Sequence, residues 1–280
     1  MLTGTYRDEG VYQNLSNEAY HGDTNSISRS GIMTFLESPY RYWAKYLNPQ
    51  RPKDEPTPAM VFGSAFHCLM LEPDKYGDLF VTRPEKVLLK NVGREAYDLN
   101  EARIEAVNQN LGKKTILTWE QTNLLLQMQA TLFINKQAME LIKGAIYEQS
   151  YFWEDKSSGL MVKARPDILH ANMIVDLKTC ADASPRAFQR AMVSGGYHLQ
   201  GAMIQDAVQK LEGRWIPNVI NIAIEKTYPY SIGIYVIDED ALEAGRVKYK
   251  SALLDIKSYI GDNEPWPDYE PQTISLPSWA

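Results

Sequence analysis

The sequence predicts an α/β fold, with a mixed central sheet flanked by helices and a helical N-terminal region before it. Two observations support this prediction. Helix-start signals dominate the first half of the chain, whereas extended segments separated by turn residues begin near residue 149. Helical and extended segments then alternate to about residue 260, an order typical of a mixed α/β core with N-terminal helices around it.

We expect the whole chain to form one domain. Its 280 residues suffice for one large domain or two small ones, and no internal repeat divides them. Within the single domain 1–280, the expected parts are a mainly helical region at 1–145, a mixed α/β core at 146–262 and a C-terminal tail at 263–280.

Composition excludes several classes of protein. No apolar run approaches the length of a membrane span and no signal-like segment follows Met1, so we expect a cytoplasmic protein with no membrane partner. Cys68 and Cys180 lie outside any C-x-x-C pair, which excludes zinc ribbons and cysteine-ligated iron–sulfur clusters within the chain. A disulfide between them is not expected in a reducing compartment.

The net charge of −6 does not favour a protein that binds nucleic acid. Two considerations weaken this objection. A metal site needs carboxylates, and bound cations neutralise part of their charge. Phosphate binding also depends on where the basic residues lie more than on their total number.

Helix-start signals locate the elements of the first half. Ser28 is suited to cap a helix, Pro39 suits the first position of another, and Thr118 begins a capping box. Residues 1–27 are expected to form an irregular arm with aromatic anchors, and 74–115 give no clear assignment. The predicted helices begin at Ser28, at Pro39, near residue 60 and at Thr118, and the last two end near 71 and 134.

Turn chemistry locates the strands of the second half. Segments 149–154 and 160–165 are extended, and turn residues at 155–159 join them. A third strand at 173–179 follows a short link, so we expect a meander of three strands. The remaining elements are expected as helices at 184–193 and 197–212, strands at 215–226 and 230–237, and a helix at 239–260.

Two acidic residues and a lysine meet in this meander. Side chains alternate along a strand, so Asp176 and Lys178 share one face of the segment 173–179. Asp167 reaches the same face if the preceding strand pairs with this one. Two carboxylates can bind hard divalent cations, and a lysine beside an attacking water can stabilise the charge that develops in phosphodiester hydrolysis.

The motif is weak by itself. The pattern Asp-x-Lys recurs at 255–257 in a stretch with helical periodicity, and Pro-Asp recurs at 73–74 and 267–268. Only Asp167 and Asp176 combine both halves of the motif, nine residues apart on adjacent predicted strands. An ordinary surface ion pair on an amphipathic hairpin is the alternative interpretation.

Longer motifs resemble one family of nucleases. The pattern at 166–167 and 176–178 resembles the PD-(D/E)-x-K core of restriction-endonuclease-like nucleases, and Gly63 with His67 resembles the G-x-x-x-H motif of their RecB-like branch. Nearly the whole chain is similar to the exonuclease VIII (RecE-type) family of prophage recombination nucleases. The segments that carry this similarity lie at 15–20, 27–30, 38–40, 63–67, 71–73, 151–159, 165–167, 176–182, 197–200 and 276–280.

The resemblance implies a restriction-endonuclease-like fold and a metal-dependent exodeoxyribonuclease. Members degrade the 5′-ended strand of linear double-stranded DNA in the 5′ to 3′ direction with Mg²⁺, for which Mn²⁺ can substitute. They leave 3′ single-stranded tails for a single-strand annealing recombinase. They also form homo-oligomeric rings around the duplex, and a ring would require basic residues only along its channel.

The resemblance also assigns roles to individual residues. It implies that His67, Asp167 and Asp176 are metal ligands, that the carbonyl of Leu177 is a backbone ligand, and that Lys178 orients the nucleophilic water. For His67 alone, a buried hydrogen-bonded histidine would be the alternative. Gly63 lies one helical turn before His67, and its missing side chain is expected to leave space near the site.

Other residues have more open assignments. Gln200 is implied near the scissile phosphate or the lysine, with a helix-surface glutamine as the alternative. Glu148 is either an additional metal or water ligand or a solvated strand end. The RecB-like pattern often has a tyrosine four residues after the glutamine, but Ile204 stands there, and Tyr197 is not an obvious substitute.

Ser28, Arg29 and Ser30 lie at a predicted helix N-terminus, where free amides, hydroxyls and a guanidinium suit a phosphate of the DNA. Plain helix capping with a surface arginine is the alternative. For the whole chain, two other functions remain open. One is a sequence-specific endonuclease on the same core, and the other is a catalytically inactive protein that binds DNA ends.

Overall fold

The computed structural model describes residues 7–52, 55–82, 105, 114–261, 266–269, 271 and 273–276. Its strands are β1 (Gly10–Tyr12), β2 (Phe80–Thr82), β3 (Thr115–Leu117), β4 (Ile146–Tyr147), β5 (Ser150–Glu154), β6 (Met161–Ala164), β7 (Ile168–Leu169), β8 (Met173–Cys180), β9 (Asn218–Glu225) and β10 (Ile232–Ile237). Its helices are α1 (Asn17–Gly22), α2 (Arg29–Glu37), α3 (Pro39–Tyr42), α4 (Pro58–Leu71), α5 (Pro73–Leu79), α6 (Trp119–Ile134), α7 (Lys136–Ile142), α8 (Pro185–Gly195), α9 (Tyr197–Glu212) and α10 (Glu239–Gly261).

The central sheet has five strands in the order β10-β9-β8-β7-β4. Strands β8 and β9 are parallel, and the other neighbours are antiparallel. Helices cover both faces of β8: Val175 and Leu177 belong to an apolar cluster with residues of α4 and α6, whereas Ile174 belongs to a second cluster with residues of α9 and α10. The predicted mixed α/β fold is therefore confirmed, and the strand that carries Asp176 lies in the middle of it.

The predicted meander of three strands was wrong. Strands β5 and β6 form a separate sheet with β1, and they do not pair with β8. The chain leaves β6 at Pro166, which has no amide hydrogen for a sheet bond, and then forms the short strand β7. Ile168 and Leu169 of β7 pair with Val175 and Ile174 of β8, so a two-residue strand makes the contact expected of the longer one.

The prediction of an irregular arm at 1–27 was also wrong in part. Strand β1 pairs antiparallel with β5, and Ile27 forms a parallel bridge to Val162 on β6. Tyr12 and Tyr20 each pack edge-on against the ring of Phe152, so the expected aromatic anchors do hold the arm. Short strands that pair with distant residues leave no local pattern in the sequence, because their partner supplies the stabilisation.

The predicted helix starts are confirmed. Ser28 and Thr118 cap α2 and α6, and Gln121 completes the capping box at Thr118. Helix α3 begins at Pro39 and continues as a π-helical turn at Trp43–Leu47. Helix α4 begins slightly earlier than predicted because the Thr57 side chain accepts a hydrogen bond from the amide of Met60.

Three further predictions concern single features. The Asp-x-Lys pattern at 255–257 lies within α10, as its helical periodicity indicates. Cys68 and Cys180 are free thiols. Among the described residues, no helix combines the length and the apolar character needed to cross a lipid bilayer. Nearly all of the charged run at 94–106 lies outside the described residues.

Candidate metal centre

Strand pairing brings the two predicted aspartates together. The register of β7 on β8, extended by one residue, sets Asp167 opposite Asp176. The Oδ2 atom of Asp167 accepts a hydrogen bond of 2.8 Å from the amide of Leu177, which fixes its carboxylate on the neighbouring strand. Both aspartates are buried, with 7% and 5% of their surface exposed, so the alternative of a surface ion pair is wrong.

Helix α4 carries His67 to the same place. Its Nδ1 atom lies 3.6 Å from Oδ2 of Asp167 and 3.9 Å from Oε1 of Glu148. Its Nε2 atom donates a hydrogen bond of 2.6 Å to the carbonyl of Leu177. Two of the four groups that the resemblance assigns to the metal, the imidazole of His67 and the carbonyl of Leu177, are therefore in contact with each other here.

Glu148 completes a group of three donors. It lies between β4 and β5 and has a positive φ of 51°, a conformation that costs energy for a residue with a side chain. Its amide donates to the carbonyl of Asp167. One ligand atom from each of His67, Glu148 and Asp167 lies within 4.8 Å of the others, so imidazole and carboxylate donors converge as a divalent cation requires.

Asp176 has a different set of neighbours. Its Oδ2 atom lies 2.5 Å from Nζ of Lys178, and its Oδ1 atom accepts a hydrogen bond of 3.0 Å from Nε2 of Gln200 on α9. The other amide atom, Oε1 of Gln200, is buried and has no hydrogen-bond partner among the described residues. The predicted lysine and glutamine therefore both contact Asp176, and the buried amide oxygen of Gln200 can accept a further hydrogen bond.

The charges of the site shift its protonation equilibria. Burial, reinforced by the charge of Asp176, raises the pKa of Asp167 to about 7. Burial alone would lower the pKa of His67, but Asp167 and Glu148 outweigh it and raise that pKa to about 9. Burial opposes the charge of Lys178 as well, but Asp176 and Asp167 raise its pKa. Three carboxylates thus create a negative field that holds protons and would equally hold a cation.

Three residues of the site had no role assigned from the sequence. Arg165 lies 3.9 Å from Glu148 through its Nη1 atom. Asn221 pairs with Asp176 in the β8–β9 register, and its buried Oδ1 atom has no hydrogen-bond partner in the part of the chain that the structure describes. Tyr197 lies under Lys178, whose Nζ atom is 5.0 Å from the ring centre. Of the three, only Asn221 could have been noticed from the sequence, because it is the one polar residue inside the apolar run 219–224.

The predicted phosphate-binding residues lie at the start of α2. Ser28 caps the helix and its hydroxyl is 3.1 Å from that of Ser30. Arg29 donates a hydrogen bond of 2.8 Å to the carbonyl of Gly195 at the end of α8. The charge of Arg29 also acts on Lys178, so the start of α2 lies near the site.

Two other expectations concern glycine and isoleucine positions. Beyond its chain neighbours and its own helical turns, a Cβ atom at Gly63 would meet no atom of the described residues within 4 Å, so the space expected one turn before His67 is open there. Ile204, which stands where related patterns often have tyrosine, is buried in the apolar core with Leu199 and Met203. No polar role at that position is therefore available.

Comparisons with known proteins agree with this geometry. The family model described as "PDDEXK-like domain of unknown function (DUF3799)" matches residues 28–273. Among solved structures, the chain is similar to one described as "Putative exonuclease" from Eubacterium rectale, with a TM-score of 0.60, 17% sequence identity, and 89% of this chain and 88% of that chain covered. A search of the curated proteins finds no match. At this identity the structural likeness shows the fold alone, and the predicted restriction-endonuclease-like fold is confirmed.

Proposed function

Because the chain belongs to the family of PDDEXK-like domains DUF3799, we propose that it is a Mg²⁺-dependent exodeoxyribonuclease. It degrades the 5′-ended strand of linear double-stranded DNA and leaves 3′ single-stranded tails for recombination. The observation that carries the proposal is the convergence of His67, Glu148 and Asp167 beside the buried pair of Asp176 and Lys178. The narrower relationship to exonuclease VIII rests on the sequence resemblance and belongs to this proposal.

The donor set fits a divalent cation. His67, Glu148 and Asp167 would hold it, with Asp176 beside them, and the unpartnered oxygen of Gln200 offers a further acceptor for a bound water. A bound divalent cation would polarise the scissile phosphate and lower the pKa of an attacking water. Carboxylates dominate this set, which suits Mg²⁺ and Mn²⁺, whereas the imidazole favours Mn²⁺ of the two.

The chain itself positions the reacting groups. Asp176 is held from both sides, by Lys178 through one oxygen and by Gln200 through the other. Lys178 can therefore present its ammonium group to the attacking water and to the charge that develops on the phosphate. The ring of Tyr197 restricts where that ammonium group can move, because the cation is attracted to the face of the ring.

Exposed basic residues weaken the objection that a net charge of −6 does not favour binding to DNA. Arg186 and Arg190 are exposed on α8 and border an open cleft of about 560 Å³, and neither forms an ion pair with a described residue. The charge of Arg29 acts on Lys178, and Arg29 with Ser28 and Ser30 at the start of α2 would bind a phosphate at or next to the DNA end. We further propose a homo-oligomeric ring and an annealing recombinase as partners.

Digestion of linear duplex DNA labelled at the 5′ or the 3′ end tests the proposal. With Mg²⁺ the 5′ label should be released first, EDTA should stop release, and covalently closed circles should be spared. Asp176→Ala and Lys178→Ala should each reduce cleavage by about 10³-fold or more, on the scale known for charge-stabilising residues. Lys257→Ala, in the exposed second Asp-x-Lys pattern on α10, is the matched control and should cleave normally.

The same experiment separates the alternatives. Discrete cuts in closed circles would indicate the endonuclease. Binding to DNA ends without any cleavage would indicate the inactive end-binding protein. Full cleavage by Lys178→Ala would show that the site is wrongly assigned.

A further inference from the structure

Arg165 connects the metal centre to the N-terminal arm. Its side chain follows β6 and is 6% exposed. One of its terminal nitrogens lies 3.9 Å from Oε2 of Glu148, whereas Oε1 of that carboxylate lies 3.9 Å from Nδ1 of His67. The two oxygens of Glu148 are therefore divided between the guanidinium on one side and the cluster of donors on the other.

The guanidinium is itself held firmly. It donates hydrogen bonds of 2.9 Å to the carbonyl of Leu15, 2.6 Å to Oδ1 of Asn17 and 2.8 Å to the hydroxyl of Ser150. Its central carbon also lies 4.1 Å from the ring centre of Tyr20. Three donated bonds and a ring contact fix a planar group better than a single ion pair would. The position of the charge next to Glu148 is thus set by the arm at residues 15–20.

Glu148 needs such support. Its backbone is in the left-handed region, so its carboxylate is aimed from a conformation that local sequence does not favour. The distance of 3.9 Å to Arg165 is too long for a hydrogen bond, so the attraction is electrostatic and acts on the carboxylate as a whole. Partners that orient a ligand in this way commonly change metal affinity by about 10–100-fold when they are lost.

We propose that Arg165 is a positioning residue, which holds one oxygen of Glu148 so that the other faces His67 and Asp167, and which is braced for this by the N-terminal arm. The inference rests on the proposed metal centre. It goes beyond that centre because it makes residues 15–20 of the arm part of the metal-binding machinery. An arginine near a cation site also repels the cation, and this repulsion alone would weaken metal binding. Whether Arg165 strengthens or weakens metal affinity therefore shows which of the two effects is larger.

Mn²⁺ affinity, measured from the free-ion signal in electron paramagnetic resonance, tests the inference. Arg165→Lys keeps the charge but loses the fork that binds Leu15, Asn17 and Ser150. We expect its dissociation constant for Mn²⁺ to rise about tenfold or more. Equal or tighter binding would overturn the inference, because it would mean that Arg165 contributes only charge.

Two further variants distinguish a positioning role of Arg165 from a general loosening of the N-terminal arm. Lys163→Met removes another buried cation that binds the same arm, at the carbonyls of Tyr20 and Asp23, without touching Glu148. It should leave Mn²⁺ affinity within about twofold. A loss as large as that of Arg165→Lys would overturn the inference in favour of the arm as a whole.

The double variant shows whether Arg165 acts through Glu148. Glu148→Gln alone should weaken Mn²⁺ binding, and adding Arg165→Lys should then change it little, because the carboxylate to be positioned is gone. Additive effects would overturn the inference. If wild-type protein binds no Mn²⁺, or Glu148→Gln has no effect, the proposed metal centre fails, and the outcome is distinct from a failure of Arg165 alone.

Discussion

Asp167 joins three parts of the molecule. Its carboxylate accepts the amide of Leu177 on β8 and lies 3.6 Å from the imidazole of His67 on α4. Its backbone carbonyl accepts the amide of Glu148. Loss of this one carboxylate would therefore disturb its contacts with the strand and the helix together, whereas the backbone bond to the strained turn would remain.

Protonation of Asp167 predicts how metal binding depends on pH. Its pKa of about 7 and the pKa of His67 of about 9 mean that a cation must displace protons at lower pH. We expect Mn²⁺ affinity to rise by about tenfold or more between pH 6 and pH 8. Titrations at the two pH values measure it, and equal affinities at both would contradict the prediction. Asp167→Asn should bind weakly and lose much of the dependence.

Gly63 offers a test of the open space beside His67. The position is helical and a Cβ would meet no described residue beyond its own helix, so Gly63→Ala should stabilise the protein by about 0.5–1 kcal/mol. If DNA enters that space, cleavage should nevertheless fall. Gly77→Ala on α5 is the matched control, because it too is helical and open. Thermal melting and cleavage rates should separate the two variants, and normal cleavage by Gly63→Ala would contradict the assignment.

At the scale of single residues, the sequence predicts which side chains lie together when they are close neighbours in one element. Asp176 and Lys178 alternate on one strand, so their shared face follows from the pleat. Arg165 and Tyr197 could not be predicted, since their contacts to Glu148 and Lys178 depend on how separate elements pack. Glu148 stayed ambiguous because its positive φ has no signal in the sequence.

Among the elements, β8 carries Asp176 and Lys178 in the middle of the central sheet, and this position gives the strand its role in the site.

Long helices with capping residues, such as α6, could be predicted well because caps and apolar periodicity are local. The assignment of β5 and β6 to a separate sheet could not be predicted, because the turn that joins the two strands is the same whether or not they belong to the sheet of β8. The two-residue strand β7 is too short to have any periodicity.

The contact between the arm and β6 predicts a second dependence on pH. Burial lowers the pKa of Lys163 to about 8, against about 10.4 in an unfolded chain. Below pH 8 both states carry the charge, so its burial is fully unfavourable. Between pH 8 and about 10.4 the folded state releases the proton while the unfolded state retains it, so the stability that this residue contributes rises with pH.

Urea unfolding of wild type and Lys163→Met at pH 7.5 and pH 10 measures this effect. The difference in free energy of unfolding should shift in favour of wild type by about 1–3 kcal/mol at the higher pH. A difference that is independent of pH would mean that burial does not lower the pKa of Lys163, which would then keep its charge in the folded protein. The comparison of two proteins removes the contributions of all other titrating groups that they share.

In the whole molecule, the N-terminal arm covers both edges of the hairpin that β5 and β6 form. Strand β1 pairs with β5, and Ile27 receives the amide of Lys163 and donates its own to Met161 on the far border of β6. A hairpin flanked in this way presents few free backbone groups to another molecule. A chain that lacks residues 1–27 would expose both borders, and open strand borders template self-association. Such a truncated protein should aggregate during expression or refolding, which light scattering would detect, even though every predicted catalytic residue is still present.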